Sequence, residues 1–410
     1  MQPPGASYPS SGSAASHRTE APRRNLRPSL IIVGILLTIV GVVVKNRWHE
    51  RYLAPSVHAV QAAGGYVDLE RIESDWMRAL LGEAFLAKAV SLSLDNPALS
   101  DKQNAALVRR FPHIENLSLD HVVLGPATAA ALAQLTNLRS LGFYSVTVTE
   151  DVLGGLSGNA QLQQIFLHTV QVEGRAIRGL APLPQLTKLL FESSTVTNDQ
   201  LADLAMLPAL NTVNLSGCKN LTDDGLVHLG QVTKLSFLVL NDTRLTGAGL
   251  KSLSSCGSLG ILCLSGTQLE DDALAHLAPL TLLSNLTLDR TPITDRGLAH
   301  LQGMTGLMIL DLDGTNVTDD GLATLQTLTG LTWLCLDKTA VTDQALVALA
   351  KLPSLQTLSL HGAKISDDGI GKFAGFPALT SITVQGTGVT RAAVDTFKQR
   401  HPGLTVIADQ

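Results

Sequence analysis

The apolar residues of the chain recur with a period of 24 residues over most of its length. The segments that begin at Leu259, Leu283, Leu307 and Leu331 largely share the frame L-x-x-L-x-L-x-x-T-x-(aliphatic)-T-D-x-G/A-L-x-x-L-x-x-L. The alternation in L-x-L predicts a short strand with one buried face, and the three-residue spacing in the second half predicts one face of a short helix. One unit cannot bury its own leucines, so the units must stack to form a common core.

Such units begin every 24 residues, or twice every 25, from Ile114 to Leu404, and an imperfect first unit begins near Ala87. A period of about 20–29 residues with L-x-x-L-x-L is typical of leucine-rich repeats. The sequence therefore predicts an α/β solenoid over residues 87–410, a horseshoe with a parallel concave sheet of about fourteen short strands and with short convex helices. The T-D step predicts where each helix begins, with threonine as the N-cap and aspartate in the first turn.

The units resemble the cysteine-containing subclass of leucine-rich repeats, known from the substrate-binding part of F-box ubiquitin ligases and from bacterial relatives. The ninth position, often cysteine in that subclass, is Cys218 in one unit and threonine in most others. The resemblance spans residues 87–410 and implies the fold and, through the ligases, a substrate-recognition role, although no F-box precedes the repeats. A membrane anchor followed by T-D-x-G-L units also resembles bacterial membrane-anchored leucine-rich-repeat proteins.

An uncharged apolar run of residues 28–44 precedes the repeats. A membrane-spanning helix needs about 20 apolar residues, or about 17 at the short end, so we predict a single transmembrane anchor at residues 28–47 after a disordered tail at 1–27. A cleaved signal peptide is the alternative, but Lys45 and Arg47 follow the run where a small-residue cleavage site would be expected. The basic residues before the run slightly favour repeats outside the cytoplasm, whereas free cysteines favour a reducing compartment.

The ends of a solenoid need caps, because an open end exposes leucines to water. Residues 48–86 are predicted to be a spacer and N-terminal cap, in which a helix with Trp76, Leu80, Leu81 and Phe85 covers the first unit. Residues 391–401 are predicted to form a more polar last helix, which is followed by a closing strand at residues 404–407.

Charge and composition exclude several classes of protein. The chain has 410 residues and a net charge of −5; residues 1–45 have a net charge of +4, which leaves −9 for the remainder. Such an acidic body argues against nucleic acid as a partner. Four cysteines in a chain of this length exclude a disulfide scaffold. An aromatic content of only 4% fits a core of stacked aliphatic side chains.

The third, fifth and seventh positions of each unit alternate with the buried leucines and therefore point out from the concave sheet. Several of these positions are apolar, which predicts an exposed cluster that binds a protein partner, at Phe237, Val239, Ile261, Ile309 and Trp333. An acidic row beside the cluster, which could pair with basic groups of the partner, contains Asp289, Asp311, Asp313 and Asp337, and His361 completes the predicted site. Partial burial of the cluster, a merely solvated acidic face and a calcium site are the alternatives.

The sequence lacks the local signatures of catalysis. His121, His168 and His361 would face the concave side in distant units, and there is no G-x-S-x-G, P-loop, H-E-x-x-H or C-x-x-C motif. We therefore expect no enzyme activity, no cofactor, no metal and no small-molecule substrate. The predicted function is a membrane-anchored, non-catalytic scaffold that binds an unknown protein partner on its concave face. The alternative is a substrate-recognition subunit or effector of a ubiquitin-ligase-like system.

Overall fold

The structure is a computed structural model that describes residues 53–71 and 87–409. The predicted tail, the transmembrane anchor at 28–47 and the predicted cap helix at residues 76–85 lie outside the described residues. Within the described ranges, no helix is both long enough and apolar enough to cross a membrane.

The strands follow the 24-residue repeat closely. Their bounds are β1 Tyr66–Arg71, β2 Ala87–Asp95, β3 Asn116–Asp120, β4 Ser140–Tyr144, β5 Thr147–Val148, β6 Gln164–His168, β7 Gln171–Val172, β8 Lys188–Glu192, β9 Thr212–Asn214, β10 Phe237–Val239, β11 Ile261–Cys263, β12 Asn285–Thr287, β13 Ile309–Asp311, β14 Trp333–Cys335, β15 Thr357–Ser359, β16 Ser381–Thr383 and β17 Thr405–Ile407. Strands β5 and β7 form a separate pair, and the other fifteen described strands form one sheet.

The large sheet is parallel from β2 to β17, and equivalent positions of successive repeats are paired. Leu310, for example, is the partner of both Leu286 and Leu334. The exception is β1, which pairs antiparallel with β2 and lies in the segment predicted as a spacer. Strand β1 is therefore the N-terminal edge strand of the described sheet. It pairs with the backbone of β2, which would otherwise be the exposed edge.

The convex side consists of short helices, some α and some 3₁₀. The α-helices are α1 Ala54–Ala62, α2 Asp101–Val108, α3 Pro126–Leu132, α4 Glu150–Gly154, α5 Asp223–Leu229, α6 Asp295–Ala299, α7 Asp319–Leu322, α8 Ala345–Leu349, α9 Asp367–Ile370 and α10 Arg391–Arg400. The 3₁₀ helices are Gly155–Gly158, Ala176–Leu180, Asp199–Met206, Leu250–Ser255, Asp271–Leu277, Ala323–Thr327 and Gly371–Gly375. Helix α10 and strand β17 confirm the predicted last helix and closing strand.

A ladder of fully buried leucines forms the core between the sheet and the helices, as the period predicts. Leu262, Leu286, Leu310 and Leu334 are completely shielded from solvent. Five of the six ninth-position threonines are buried as well, Thr387 is half-buried, and each hydroxyl donates a hydrogen bond within its own repeat. Thr291 Oγ1, for example, donates to the carbonyl oxygen of Leu288 at 2.5 Å. Such local bonds satisfy polar atoms that would otherwise be unpaired in an apolar core.

Successive helix starts are joined by an aspartate–threonine contact, here called the inter-repeat clamp. The backbone amide and hydroxyl of Thr318 donate to the two carboxylate oxygens of Asp295, at 2.7 and 2.6 Å. Thr342 makes the same pair of bonds to Asp319, at 2.7 and 2.5 Å. The predicted N-cap position is confirmed for Thr294 and Thr318. The Thr294 hydroxyl also accepts a hydrogen bond from the Arg296 amide, whereas the Thr318 hydroxyl makes no such bond to its own helix.

The eighth position of nearly every repeat has a left-handed backbone, with φ between 48° and 70°. This conformation turns the chain away from the end of the strand toward the convex side. Five of these positions are glycine, at Gly217, Gly266, Gly314, Gly362 and Gly386. Seven others are not, at His121, Ser145, Thr169, Ser193, Asp242, Arg290 and Lys338. The turn is therefore imposed by the repeat geometry even where the residue disfavours it.

Candidate functional site

The predicted apolar residues form one row across neighbouring strands of the concave face. Phe237, Ile261, Asn285, Ile309 and Trp333 are the first residues of β10 to β14 and are paired with one another in register. Strands in a sheet lie about 4.8 Å apart, so adjacent side chains of this row are within contact distance. We call these five residues the apolar row, although Asn285 interrupts it with a polar group.

The side chains of the predicted apolar cluster are less exposed than the sequence predicts. Phe237, Ile261, Ile309 and Trp333 are half-buried, and Val239 is buried with only 8% of its surface exposed. The physical reason is that each residue has an in-register neighbour on both sides, which covers its flanks. Val239 therefore lies between its paired neighbours and offers little surface to a partner. The other four side chains expose part of their surface on one continuous face.

The acidic row lies on the same strands and on the turns that follow them. Arg290 Nε lies 3.1 Å from Asp289 Oδ2, and Lys338 Nζ lies 3.4 Å from Asp313 Oδ2. No described cation pairs with Asp311 or Asp337. Two of the four predicted carboxylates are thus partly neutralised by basic side chains of this chain.

Asp311 is the most perturbed carboxylate of the row. Burial raises its pKa above the usual value, and the charges of Asp289 and Asp313 raise the pKa further, against a hydrogen bond from the Asp313 amide. A raised pKa means that the ionised form is disfavoured where it lies. A cation close to Asp311 would relieve this cost. That cation need not be a metal, and the acidic row does not bring three ligand atoms together among the described residues.

Asp337 and His361 are joined through the backbone. The His361 amide donates to Asp337 Oδ1 at 2.7 Å, so this carboxylate holds the turn of the next repeat in place. The His361 ring is half-buried. The structure thus places all ten predicted site residues on the concave side, over six consecutive strands and their turns, with Val239 covered.

A second group of apolar side chains lies in the N-terminal half of the same face. It was not part of the predicted site. Phe166 and Leu190 are in-register partners on β6 and β8, and both are half-buried. They occupy the fifth position of their repeats, so the frame that located Val239 also locates them. Tyr144 lies nearby, with its ring centroid 6.3 Å from that of His168. Burial raises the pKa of Tyr144, and so do the charges of Asp120 and Glu192.

A mixed cluster of Asp95, Asp120 and His121 lies at the N-terminal end of the concave face. Its three ligand atoms are all within 4.8 Å of one another, a constellation that the sequence pattern did not indicate. The two aspartates end neighbouring strands, and the histidine occupies the left-handed turn that follows.

The four cysteines are free, and their environment makes the thiols unreactive. Cys218 is buried, and burial raises its pKa to about 11; burial also raises the pKa of Cys263 and Cys335. Since only the thiolate is a good nucleophile, these thiols stay protonated and unreactive near neutral pH. Cys218 Sγ donates to the Phe191 carbonyl at 2.9 Å, so this thiol is hydrogen-bonded inside the core.

Comparison with known proteins agrees with this fold. A family model described as leucine-rich repeat matches residues 208–230 and 351–374. An internalin (InlF) from Listeria monocytogenes is similar over 82% of this chain and 94% of its own, with a TM-score of 0.55 and 20% identity. No curated protein sequence matches the chain. The chain therefore contains leucine-rich repeats, and its fold is an α/β solenoid with a parallel sheet.

Two further solved structures are similar to parts of the chain. An internalin C2 (InlC2) from Listeria monocytogenes is 27% identical with a TM-score of 0.40, over 52% of this chain and 84% of its own. A leucine-rich-repeat protein from Leptospira interrogans is 15% identical with a TM-score of 0.48, over 78% of this chain and 89% of its own.

Proposed function

We propose that the protein is a membrane-tethered, non-catalytic scaffold that binds a protein partner on its concave face. The observation that favours this function is the apolar row, because four half-buried apolar side chains lie in register on neighbouring strands beside the acidic row. Partly exposed aromatic and aliphatic groups within a polar surround are typical of the centre of a protein interface.

The acidic row supports a partner with basic groups next to its apolar ones. Asp311 has no described cation partner and a raised pKa, so a lysine or arginine from outside would stabilise its charged form. Charged pairs at the rim of an interface contribute more to association rate and orientation than to affinity. The apolar row is therefore expected to supply most of the affinity.

The tether rests on the apolar run at residues 28–44, and we propose that it anchors the repeats outside the cytoplasm. The ligase-type alternative needs an adaptor-binding helix pair before the repeats. The described part of that segment holds one helix, α1, and then strand β1. This arrangement offers the alternative no support, and a scaffold is the function we favour.

Photo-crosslinking in membranes tests the proposed face directly. A photoreactive phenylalanine analogue placed at Trp333 should yield a crosslinked partner, whereas the same analogue at Val347 should not. Val347 is a suitable control because it lies on the convex helix α8 and is 58% exposed. The bound fraction of the partner should also fall at least about tenfold when Ile309 and Trp333 are both replaced by alanine, since interface aromatic groups dominate affinity.

The matched control for that double variant is Val347→Ala together with Leu282→Ala, which removes exposed apolar side chains away from the row. Circular dichroism establishes that each variant is folded. Equal capture by the folded Ile309→Ala, Trp333→Ala variant and by wild type would show that the concave row is not the binding site.

A further inference from the structure

The cluster at the N-terminal end of the concave face has the geometry of a set of metal ligands. Asp95 and Asp120 are Cα partners at the ends of β2 and β3, so their side chains lie side by side. His121 Nδ1 lies 2.9 Å from Asp120 Oδ1 and 3.4 Å from Asp95 Oδ1. One ring nitrogen and one oxygen of each carboxylate thus lie within 4.8 Å of one another.

These separations match the edges of a coordination polyhedron. When a metal holds its ligands at about 2.0–2.2 Å, neighbouring donors are about 3.3–3.6 Å apart in a tetrahedron and about 2.8–3.1 Å apart in an octahedron. The 2.9 Å separation falls in the octahedral range and the 3.4 Å separation in the tetrahedral range, and all three donors lie within 4.8 Å of one another. The set therefore needs only small side-chain adjustments to bind an ion.

Asp120 supplies a second observation. Its Oδ1 is shielded from solvent and receives no hydrogen bond among the described residues, although His121 Nδ1 lies 2.9 Å away and the Asp120 side chain as a whole is 32% exposed. The contact with Nδ1 does not meet the geometry of a hydrogen bond, so Oδ1 has no donor among the described residues. Buried acceptors without a donor are costly, and a bound cation is one way to satisfy them.

We propose that Asp95, Asp120 and His121 bind a divalent transition-metal ion, for which Zn²⁺ is the natural probe. Imidazole nitrogen together with carboxylate oxygen suits zinc and its neighbours, whereas calcium and magnesium prefer oxygen alone. The side chains of Asp95 and His121 are 56% and 55% exposed, so water can complete the coordination shell. This site departs from the expectation of no metal drawn from the sequence.

The chain contains its own control for this proposal. His168 Nδ1 lies 3.2 Å from Glu192 Oε2 on the same face, two repeats further along. This pair has the same chemistry and a similar exposure, but it has no third ligand close by within the described part of the chain. If a third ligand matters, zinc affinity should depend on His121 and not on His168.

Calorimetric titration of Zn²⁺ into the metal-free, untagged full chain in detergent tests the site. The variant His121→Gly removes the ligand and suits the left-handed turn, where other repeats have glycine. It should bind zinc at least about tenfold more weakly than wild type, as expected when a ligand is lost. Asp95→Asn should weaken binding in the same direction.

Two controls keep the result interpretable. Ser145→Gly makes the same backbone change one repeat later, without touching the ligands, and should leave zinc binding unchanged. His168→Ala should do likewise. The proposal is overturned if wild type binds no zinc, if His121→Gly binds it as wild type does, or if His168→Ala removes the same binding event.

Discussion

At the scale of single residues, the left-handed eighth position is where side-chain preference and repeat geometry conflict. Thr169 adopts φ of 55°, although a β-branched residue is poorly suited to this region. Gly314 has φ of 64° at the equivalent position and meets no such penalty. The recurrence of glycine at this position could have predicted the turn, but histidine, serine, threonine and charged residues occupy it in seven repeats and concealed it.

Exchanging residues at these two positions should move stability in opposite directions. Thr169→Gly should raise the free energy of unfolding by up to about 1 kcal/mol, and Gly314→Thr should lower it by about 1–2 kcal/mol, since left-handed backbone costs about that much for a residue with a Cβ. A Cβ added at Gly314 would make only an ordinary van der Waals contact, with Arg290 Cγ 3.8 Å away, so the effect isolates backbone strain. Chemical denaturation measures both values, and a stabilising Gly314→Thr would refute the argument.

At the scale of the element, helix starts are coupled between repeats and not only within them. The T-D step predicted a local cap, because sequence spacing shows which residues begin a helix. It could not show that the aspartate accepts from the next repeat, since that contact exists only after the units stack. Gly321 illustrates the same limit. A Cβ there would lie 2.2 Å from Asp295 Oδ1, so glycine at this position leaves room for the clamp.

Among the described clamp aspartates, Asp223 accepts the most hydrogen bonds, and its clamp should therefore be the most sensitive to pH. Burial alone would raise its pKa, but hydrogen bonds from Gly249, Thr246 and Gly247 outweigh burial and hold the pKa below its usual value. A lowered pKa stabilises the fold above the unfolded-state value near 3.8, and this stabilisation is lost as the pH falls through the folded-state pKa.

Asp223→Asn should therefore lower the free energy of unfolding by about 1–3 kcal/mol at pH 7, because charge-assisted hydrogen bonds are replaced by poorer ones. The difference from wild type should shrink below about pH 4, where the unfolded-state carboxyl takes up its proton before the folded-state carboxyl does. The neighbouring Asp224 is exposed in the same first turn, so Asp224→Asn is the matched control and should have little effect. A difference that stays constant down to acid pH would contradict the role of ionisation.

At the scale of the whole molecule, the hydrophobic period was sufficient to predict the solenoid, its parallel sheet and its closing helix and strand. The period was not sufficient to predict which side chains of the concave surface are exposed. The period shows which side chains point outward, but their exposure depends on neighbours from other repeats, as the burial of Val239 shows. The cluster of Asp95, Asp120 and His121 was hidden for the same reason, because its members come together only across two strands.

The tether also belongs to this scale, and deletion of residues 30–44 tests it. The full chain should stay in the membrane pellet after alkaline extraction, because about 15–17 apolar residues bind a bilayer far more strongly than any charged surface contact. The deleted variant should move to the supernatant and remain folded by circular dichroism. Release of the full chain by alkaline extraction would exclude an integral anchor.

The inter-repeat clamp joins an acceptor on one unit to a donor on the next, and a unit such as residues 307–330 possesses both. Contacts of this head-to-tail kind do not close on themselves, so nothing in them fixes the number of units. In-frame duplication of one 24-residue unit would supply a matching acceptor and donor at both new junctions. The length of the concave face, and with it the size of the partner that fits, can therefore change by gene duplication without any new contact having to evolve.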